Sequence, residues 1–237
     1  MRRLGHTNLM TFPLIFGGNV LGWTLDTPSS FAVLDAFVGA GGNMVDTADV
    51  YSRWVEGNQG GESETILGQW MKLRGNRAQL LIATKVGMDM GEGGKGLSPS
   101  HIERSIDASL KRLQTDYIDL YQTHWPERIM NMFQKRGVEK LDTHWQENVF
   151  EVLTVFDGLI KEGKIKHIGI SNENPWGVMK FLMESEKHSL PRIATIQNPF
   201  SLLNRLYEVG LSEIGMRENV GLLAYSPLGF GFLSGKY

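Results

Sequence analysis

The chain contains no cysteine, and that single absence removes disulfides, thiolate zinc centres and a cysteine nucleophile. It fits a reducing compartment. Long hydrophobic runs are missing too: nowhere do about 18 apolar residues follow one another, the length a membrane-spanning helix needs. The N-terminus, MRRLGHTNLMTFPLIF, begins basic, but Gly5, His6, Thr7 and Asn8 interrupt it before a signal-peptide core can form. By elimination the expected compartment is the cytoplasm, with no membrane partner. Charge of one sign is also lacking. With 24 Lys and Arg against 26 Asp and Glu, the formal charge of -2 leaves no basic excess for general nucleic-acid binding.

What is present is size and rhythm. At 237 residues and 41% hydrophobic, the chain can bury one sizeable core, as single-domain α/β barrels of about 200 to 250 residues do. MRRLGHTNLMTF reads as a hairpin with Gly5 to Asn8 as its turn. Seven apolar runs follow as strands, in PLIFGG, NMVDTA, LLIATKVG, YIDLYQTH, IKHIGIS, ATIQNP and VGLLAYS. Each but the last is followed by a segment of helical period. SSFAVLDAFVGAG is expected to start at Ser29 or Ser30 as N-cap and stop at Gly41. SETILGQWMKLRG is expected to be capped by Ser63, and SPSHIERSIDASLKRLQ by Ser98 with Pro99 in the first turn. VFEVLTVFDGLIKEG, PWGVMKFLMESEKH and EVGLSEIGMREN complete the set. Strands alternating with helices predict βαβ units and a parallel sheet. A closed (β/α)₈ barrel needs eight units, so seven leave an open doubly wound sheet as the alternative, although no strand leads into a dinucleotide fingerprint.

Three segments break the rhythm. Residues 53–62 and 88–97 are glycine-rich and expected to be mobile, and 126–147 form a long insertion expected to act as a lid, with Met130, Met132 and Phe133 over the mouth.

In parallel α/β folds chemistry sits at the carboxyl ends of the strands. Those ends carry Asp46, Lys85, His124, Ser171 with Asn172, Gln197, and Tyr225 with Ser226; Tyr51 lies in the loop after Asp46. Each has an ordinary explanation. A lysine can be a solvated charge, a histidine a satisfied core residue, a tyrosine a packed ring, and a Ser-Asn pair the cap of the next helix. Their joint occurrence at successive strand ends is harder to explain that way. A tyrosine phenol has a pKa of about 10; an adjacent ammonium is expected to lower it, with a carboxylate holding the lysine charged. A nearby histidine can polarise a carbonyl oxygen. Such a set supplies a proton but no electrons, so a hydride donor must be bound from outside. A metal hydrolase using Asp46, Asp49 and His124 lacks comparable ligand spacing. A glycosidase needs carboxylates on opposite sides of a sugar, and these two are neighbours on one loop.

The segments DTADVY, IATKVG, DYIDLYQTHWP, GKIKHIGISN, IQNPFSLLNR and AYSPLGFGFLSGKY together resemble the aldo-keto reductases over essentially the whole chain, and from Leu190 to Tyr237 the bacterial NADP(H)-dependent members in particular. The resemblance implies a (β/α)₈-type barrel and a small-molecule carbonyl substrate reduced by NADPH. It makes Tyr51 the general acid, tuned by Lys85 and Asp46, with His124 orienting the carbonyl oxygen. Ser171, Asn172 and Gln197 would hold the nicotinamide carboxamide and Tyr225 would stack on the ring. Ser226, Leu228, Gly231 and Lys236 belong to a loop that would fold over the pyrophosphate. Measured against that family, residues 1–237 are expected to be a single barrel domain lacking an eighth strand, and poorly stable alone. A cofactor-binding regulatory subunit of the same fold, like the β subunits of potassium channels, or an inactive fragment, is the alternative. Trp23, Trp54 and Trp125 near the mouth suit either an aromatic pocket wall or ordinary packing. Asp49 is left as a loop residue facing solvent or capping backbone amides.

Overall fold

A computed structural model describes residues 1–128, 130 and 147–237. The chain opens with an antiparallel hairpin, β1 (Arg2–Arg3) and β2 (Met10–Thr11), in which Arg2 pairs with Thr11 and Arg3 with Met10. Thr7 closes its turn, donating its amide and its hydroxyl to the Leu4 carbonyl at 3.1 and 2.7 Å. Strands and helices then alternate: β3 (Phe16–Gly17), α1 (Thr27–Gly39), β4 (Met44–Asp46), α2 (Glu62–Arg74) and β5 (Leu81–Val86). They continue with α3 (Pro99–Leu113), β6 (Ile118–Thr123), α4 (Val149–Lys161), β7 (Ile165–Ser171) and α5 (Pro175–His188). The last are β8 (Ile193–Pro199), α6 (Leu211–Arg217) and β9 (Gly221–Tyr225). The seven strands β3 to β9 form one parallel sheet in sequence order. This is the curled sheet of a (β/α)₈-type barrel, as the family resemblance implies, and not the doubly wound sheet that the alternation alone left open.

The helices form where periodicity and end chemistry agree. In α3, Ile102, Ile106, Ser109 and Leu113 fall three or four apart and are buried, which turns one stripe of the helix toward the sheet. At the start of α5 the Asn174 side chain accepts from the Gly177 amide at 3.0 Å and Pro175 fills the first turn. Three expected ends differ. Helix α1 begins earlier than Ser29, because Asp26 accepts from the Ser29 amide at 2.9 Å and Pro28 favours the first turn. It leaves through Ala40, and Gly41 follows with φ of 92°. Ser63 does not cap α2; it lies inside the first turn, donating to the Gly18 carbonyl at 2.7 Å and accepting from the Thr47 hydroxyl at 2.7 Å. Helix α6 is shorter than its pattern, since residues 206–208 make a separate 3₁₀ turn and Gly210, at φ of 93°, interrupts the path.

Two apolar regions hold the sheet. Between strands and helices lies the larger, built from residues such as Leu34, Leu67, Trp70, Ile82, Ile106, Phe156 and Ile196. The second gathers Leu4 and Leu9 of the hairpin with Met44, Ala83, Leu120 and Leu223. The hairpin therefore floors the inner side of the sheet. Side chains two apart on a strand share a face, so above Met44, Ala83 and Leu120 come Asp46, Lys85 and Gln122. An apolar floor thus carries a polar layer toward the strand ends. Among the described residues no helix is long and apolar enough to cross a membrane.

Candidate active site at the strand ends

Lys85 is wholly buried, and its ammonium spends all three donors on fixed acceptors. These are Asp46 Oδ2 at 2.7 Å, the Thr47 carbonyl at 2.7 Å and the Tyr51 hydroxyl at 2.9 Å. Strand register supplies part of this geometry: Asp46 on β4 pairs with Ala83 on β5, two residues before Lys85. The Thr47 amide donates to the Ala83 carbonyl at 2.8 Å and carries the loop toward Tyr51. The remaining Asp46 oxygen accepts from Gln122 Nε2 at 3.1 Å. Gln122 has its room because Gly169 faces it; a methyl there would collide with the Thr195 hydroxyl and come within 3.1 Å of Gln122 Cγ.

The charges follow from this arrangement. Burial alone would pull the Lys85 ammonium down, but the Asp46 carboxylate and the Tyr51 hydroxyl outweigh it and hold Lys85 above the ordinary lysine range. For Tyr51 the expectation is reversed. Burial raises its pKa and outweighs the downward pull of Lys85, with Asp46 pushing further up, so the side chain is a neutral phenol. His124, at the end of β6, sets its ring against Tyr51 with centroids 5.7 Å apart and planes at 72°. Burial, helped by the charge on Lys85, drives its pKa well below 6.5 and keeps the imidazole neutral. The His124 Nδ1 atom has no partner among the described residues.

The tryptophans nearby form a short aromatic wall. Tyr51 meets Trp54 edge-on at 6.0 Å, and Trp54 meets Trp23 at 5.5 Å, both tryptophans being about half exposed. Trp125 is partly buried beside His124. Of the proposed lid, Met132 and Phe133 lie outside the described residues. The glycine-rich loops are tied to the body: Asn58 donates to the Gly22 and Ser52 carbonyls at 3.1 and 3.0 Å, and Arg53 to the Asp89 carbonyl at 2.8 Å.

A second polar group lies across the strand ends from Lys85. Ser171 Oγ donates to the Gln197 carbonyl at 2.8 Å, and the Asn172 amide donates to the His124 carbonyl at 2.9 Å. The Tyr225 hydroxyl donates to Asn172 Oδ1 at 2.8 Å. Burial, with Tyr51 adding to it, pushes the Tyr225 phenol up to about 12. Ser171, Asn172, Gln197 and Tyr225 thus converge next to His124, while the Gln197 side-chain amide bonds to none of the other three. Non-glycine residues in the left-handed region mark this end of the sheet: Ser52, Asn172 and Ser226, at φ of 72°, 60° and 52°. Such strain gathers at functional sites. The rest of the loop stands apart. Leu228 is 55% exposed, Gly231 sits in a 3₁₀ segment, and Lys236 lies over the Tyr237 ring, with no hydrogen bond to the cluster among the described residues.

Asp49 is the correction. It does not face solvent; it is 1% exposed, and neither of its oxygens has a well-formed hydrogen bond among the described residues, although the Val50 amide lies close enough to favour its charged form. Gln122 escaped the sequence reading altogether. Its signal was its place two residues before His124, on the same face of β6.

Comparison with known proteins yields consistent matches. The sequence model described as "Aldo/keto reductase family" matches residues 13–237. The chain is 42% identical over 241 positions to Protein tas of Escherichia coli K12, covering 99% of this chain and 70% of that protein. It is 33% identical to the uncharacterized oxidoreductase YrpG of Bacillus subtilis, covering 98% of this chain and 68% of that protein. To norsolorinic acid reductase B of Aspergillus parasiticus it is 30% identical, over 85% of this chain and 49% of that protein.

Proposed function

The chain belongs to the aldo/keto reductase family, oxidoreductases that act on carbonyls, and from that premise we propose that it reduces an aldehyde or ketone to an alcohol with NADPH, Tyr51 donating the proton. The observation that carries this reading is the buried Lys85 ammonium bonded at once to Asp46 and to the Tyr51 hydroxyl. We take residues 1–237 as one barrel domain.

The residues fit a nicotinamide. Gln197 would offer its side-chain amide, which bonds to none of the other three, while Ser171 and Asn172 would have to trade bonds to the Gln197 and His124 carbonyls for a carboxamide, and Tyr225 offers a ring face beside Asn172. Ser226, Leu228, Gly231 and Lys236 are assigned to the phosphates through the family resemblance. A nicotinamide bound there supplies the hydride to the carbonyl carbon. As negative charge develops on the carbonyl oxygen, Tyr51 gives it the phenolic proton, so one C–H and one O–H bond form as the carbonyl π bond breaks. The phenolate left on Tyr51 is stabilised by the Lys85 ammonium, and Asp46, fixed by Gln122, keeps that ammonium in place. Neutral His124, its ring packed against Tyr51, would help to orient the same oxygen without competing as an acid.

A neutral phenol suits this direction of reaction, because the proton must be present before the hydride arrives. Relatives named as an oxidoreductase and as a norsolorinic acid reductase support a reductase. The test is Tyr51→Phe, followed by loss of reduced-cofactor absorbance with a panel of aldehydes and by cofactor binding. We expect turnover to fall by about 10²-fold to 10⁴-fold with binding retained. Tight cofactor binding without turnover by the unaltered chain would favour a cofactor-binding regulatory subunit instead.

A further inference from the structure

Asp49 has no part in the chemistry above, yet it is almost wholly enclosed with both carboxyl oxygens unpartnered among the described residues. A buried polar group without a partner costs about 1 to 3 kcal/mol and calls for an explanation. Asp49 lines a cleft of about 330 Å³ between the 88–97 loop and α3, together with Met90, Glu92, Arg104, Ser105 and Arg112. Glu92 and Arg104 at its rim are exposed. At about 30 Å³ per water the space holds on the order of ten, which brings water to the wall that Asp49 forms, while its two carboxyl oxygens lie closed off behind that wall.

The inner end of the cleft abuts the reaction machinery. The Asp49 amide donates to the Lys85 carbonyl at 3.4 Å, which places the residue against the strand that carries the ammonium. Charge on Asp49 is felt by Tyr51, raising the pKa of its phenol, and charge on Lys85 is felt by Asp49. We propose that Asp49 is a positioning residue for the reaction: its proton, exchanged when the wall between it and this cleft opens, tunes the proton-donor strength of Tyr51 on top of the larger effects of burial, Lys85 and Asp46. This rests on the reductase reading above.

The surroundings favour the uncharged acid. Glu64 on α2 faces Asp49 and is itself committed to Arg112 and Thr84, at 2.7 and 2.5 Å. Arg104 and Arg112 approach from α3, Glu92 from the 88–97 loop, Lys85 from β5 and, from β6, the Tyr121 hydroxyl, which has no partner among the described residues. Burial, and next the charge of Glu64, push the Asp49 carboxyl up to about 8, against Arg112, the Val50 amide and Lys85. The other shifted groups here move away from that range: Tyr51 and Tyr121 lie above 10, Lys85 above 10.5 and His124 well below 6.5. A limb near pH 8 therefore belongs to Asp49. Below it Asp49 is neutral; above it the new negative charge makes Tyr51 a weaker donor.

The test follows kcat for aldehyde reduction from about pH 6.5 to about pH 9.5 at saturating NADPH and aldehyde. We expect the wild-type rate to fall about threefold across pH 8, as a weakened general acid should. In Asp49→Asn, which mimics the uncharged form, the ratio of rates on the two sides of that limb should be about one. A merely structural role would lower both rates together and leave the wild-type ratio; that result, or a flat wild-type profile, overturns the proposal. A chain without any turnover would sink the reductase reading alone. The proposal is then read from the ¹³Cζ signal of Tyr51, assigned by its loss in Tyr51→Phe. A step near pH 8 that vanishes in Asp49→Asn is expected, and a signal flat in the wild type overturns the proposal.

Discussion

On the inner face of β5 a carboxylate, an ammonium and a phenol satisfy one another; between its outer face and the helices a carboxyl of the same loop is left alone. Asp46 and Asp49 are three residues apart and exposed by only 7% and 1%. Asp46 has Lys85 on one oxygen and Gln122 on the other. Asp49 has neither, and its neighbour Glu64 has already claimed the guanidinium of Arg112. Depth alone does not decide the charge of a buried acid. The partners within reach do, because desolvation is common to both sites and compensation exists at one.

Lys85→Met should give the largest loss, of stability and activity together, by turning the inner region into a copy of the outer one. Asp46 would be buried without its counter-charge, at a cost of about 3 to 5 kcal/mol in urea unfolding, with carbonyl reduction abolished. A loss below about 1 kcal/mol would mean that the two regions do not differ as described.

Asp49→Asn should act with the opposite sign. The folded pKa of Asp49 is raised from 3.8 to about 8. Its contribution is therefore fully present below the unfolded value and is lost as pH rises through the folded one, so the wild type weakens between those limits. The variant, which cannot ionise, should gain on the wild type by about 1.4 kcal/mol for each pH unit in that window. Urea unfolding at the two ends of the window checks this, and a constant difference would sink it. The smallest effect belongs to the exposed wall: Trp54→Ala should change stability by less than about 1 kcal/mol while raising KM for aromatic aldehydes more than for small ones. Equal shifts for both would return Trp23 and Trp54 to ordinary packing.

Much of the architecture is readable in the chain because it rests on local regularities. β7 and α5 match the segments IKHIGIS and PWGVMKFLMESEKH, where apolar runs, the Asn174 cap and Pro175 all agree. The start of α1 differs from the expected serines because an aspartate two residues before a proline competes with them, and only the hydrogen bond to Ser29 shows which cap wins. Tyr51, Lys85, Asp46 and His124 could be named as a group because each follows an identifiable strand. The pKa of Tyr51 could not, since its direction depends on how much protein surrounds the ring.

Composition, periodicity and the residues at each strand end determined the parallel sheet and the polar character of the strand ends. These are properties of short stretches, set by side-chain size and spacing along the backbone. Tertiary structure alone decided that Gln122 braces Asp46, that burial overrides Lys85 at Tyr51, and that Asp49 turns away from Asp46 into a cleft. Each of those depends on groups brought together from distant elements, and electrostatic energy in a buried site is set by such neighbours and not by sequence separation.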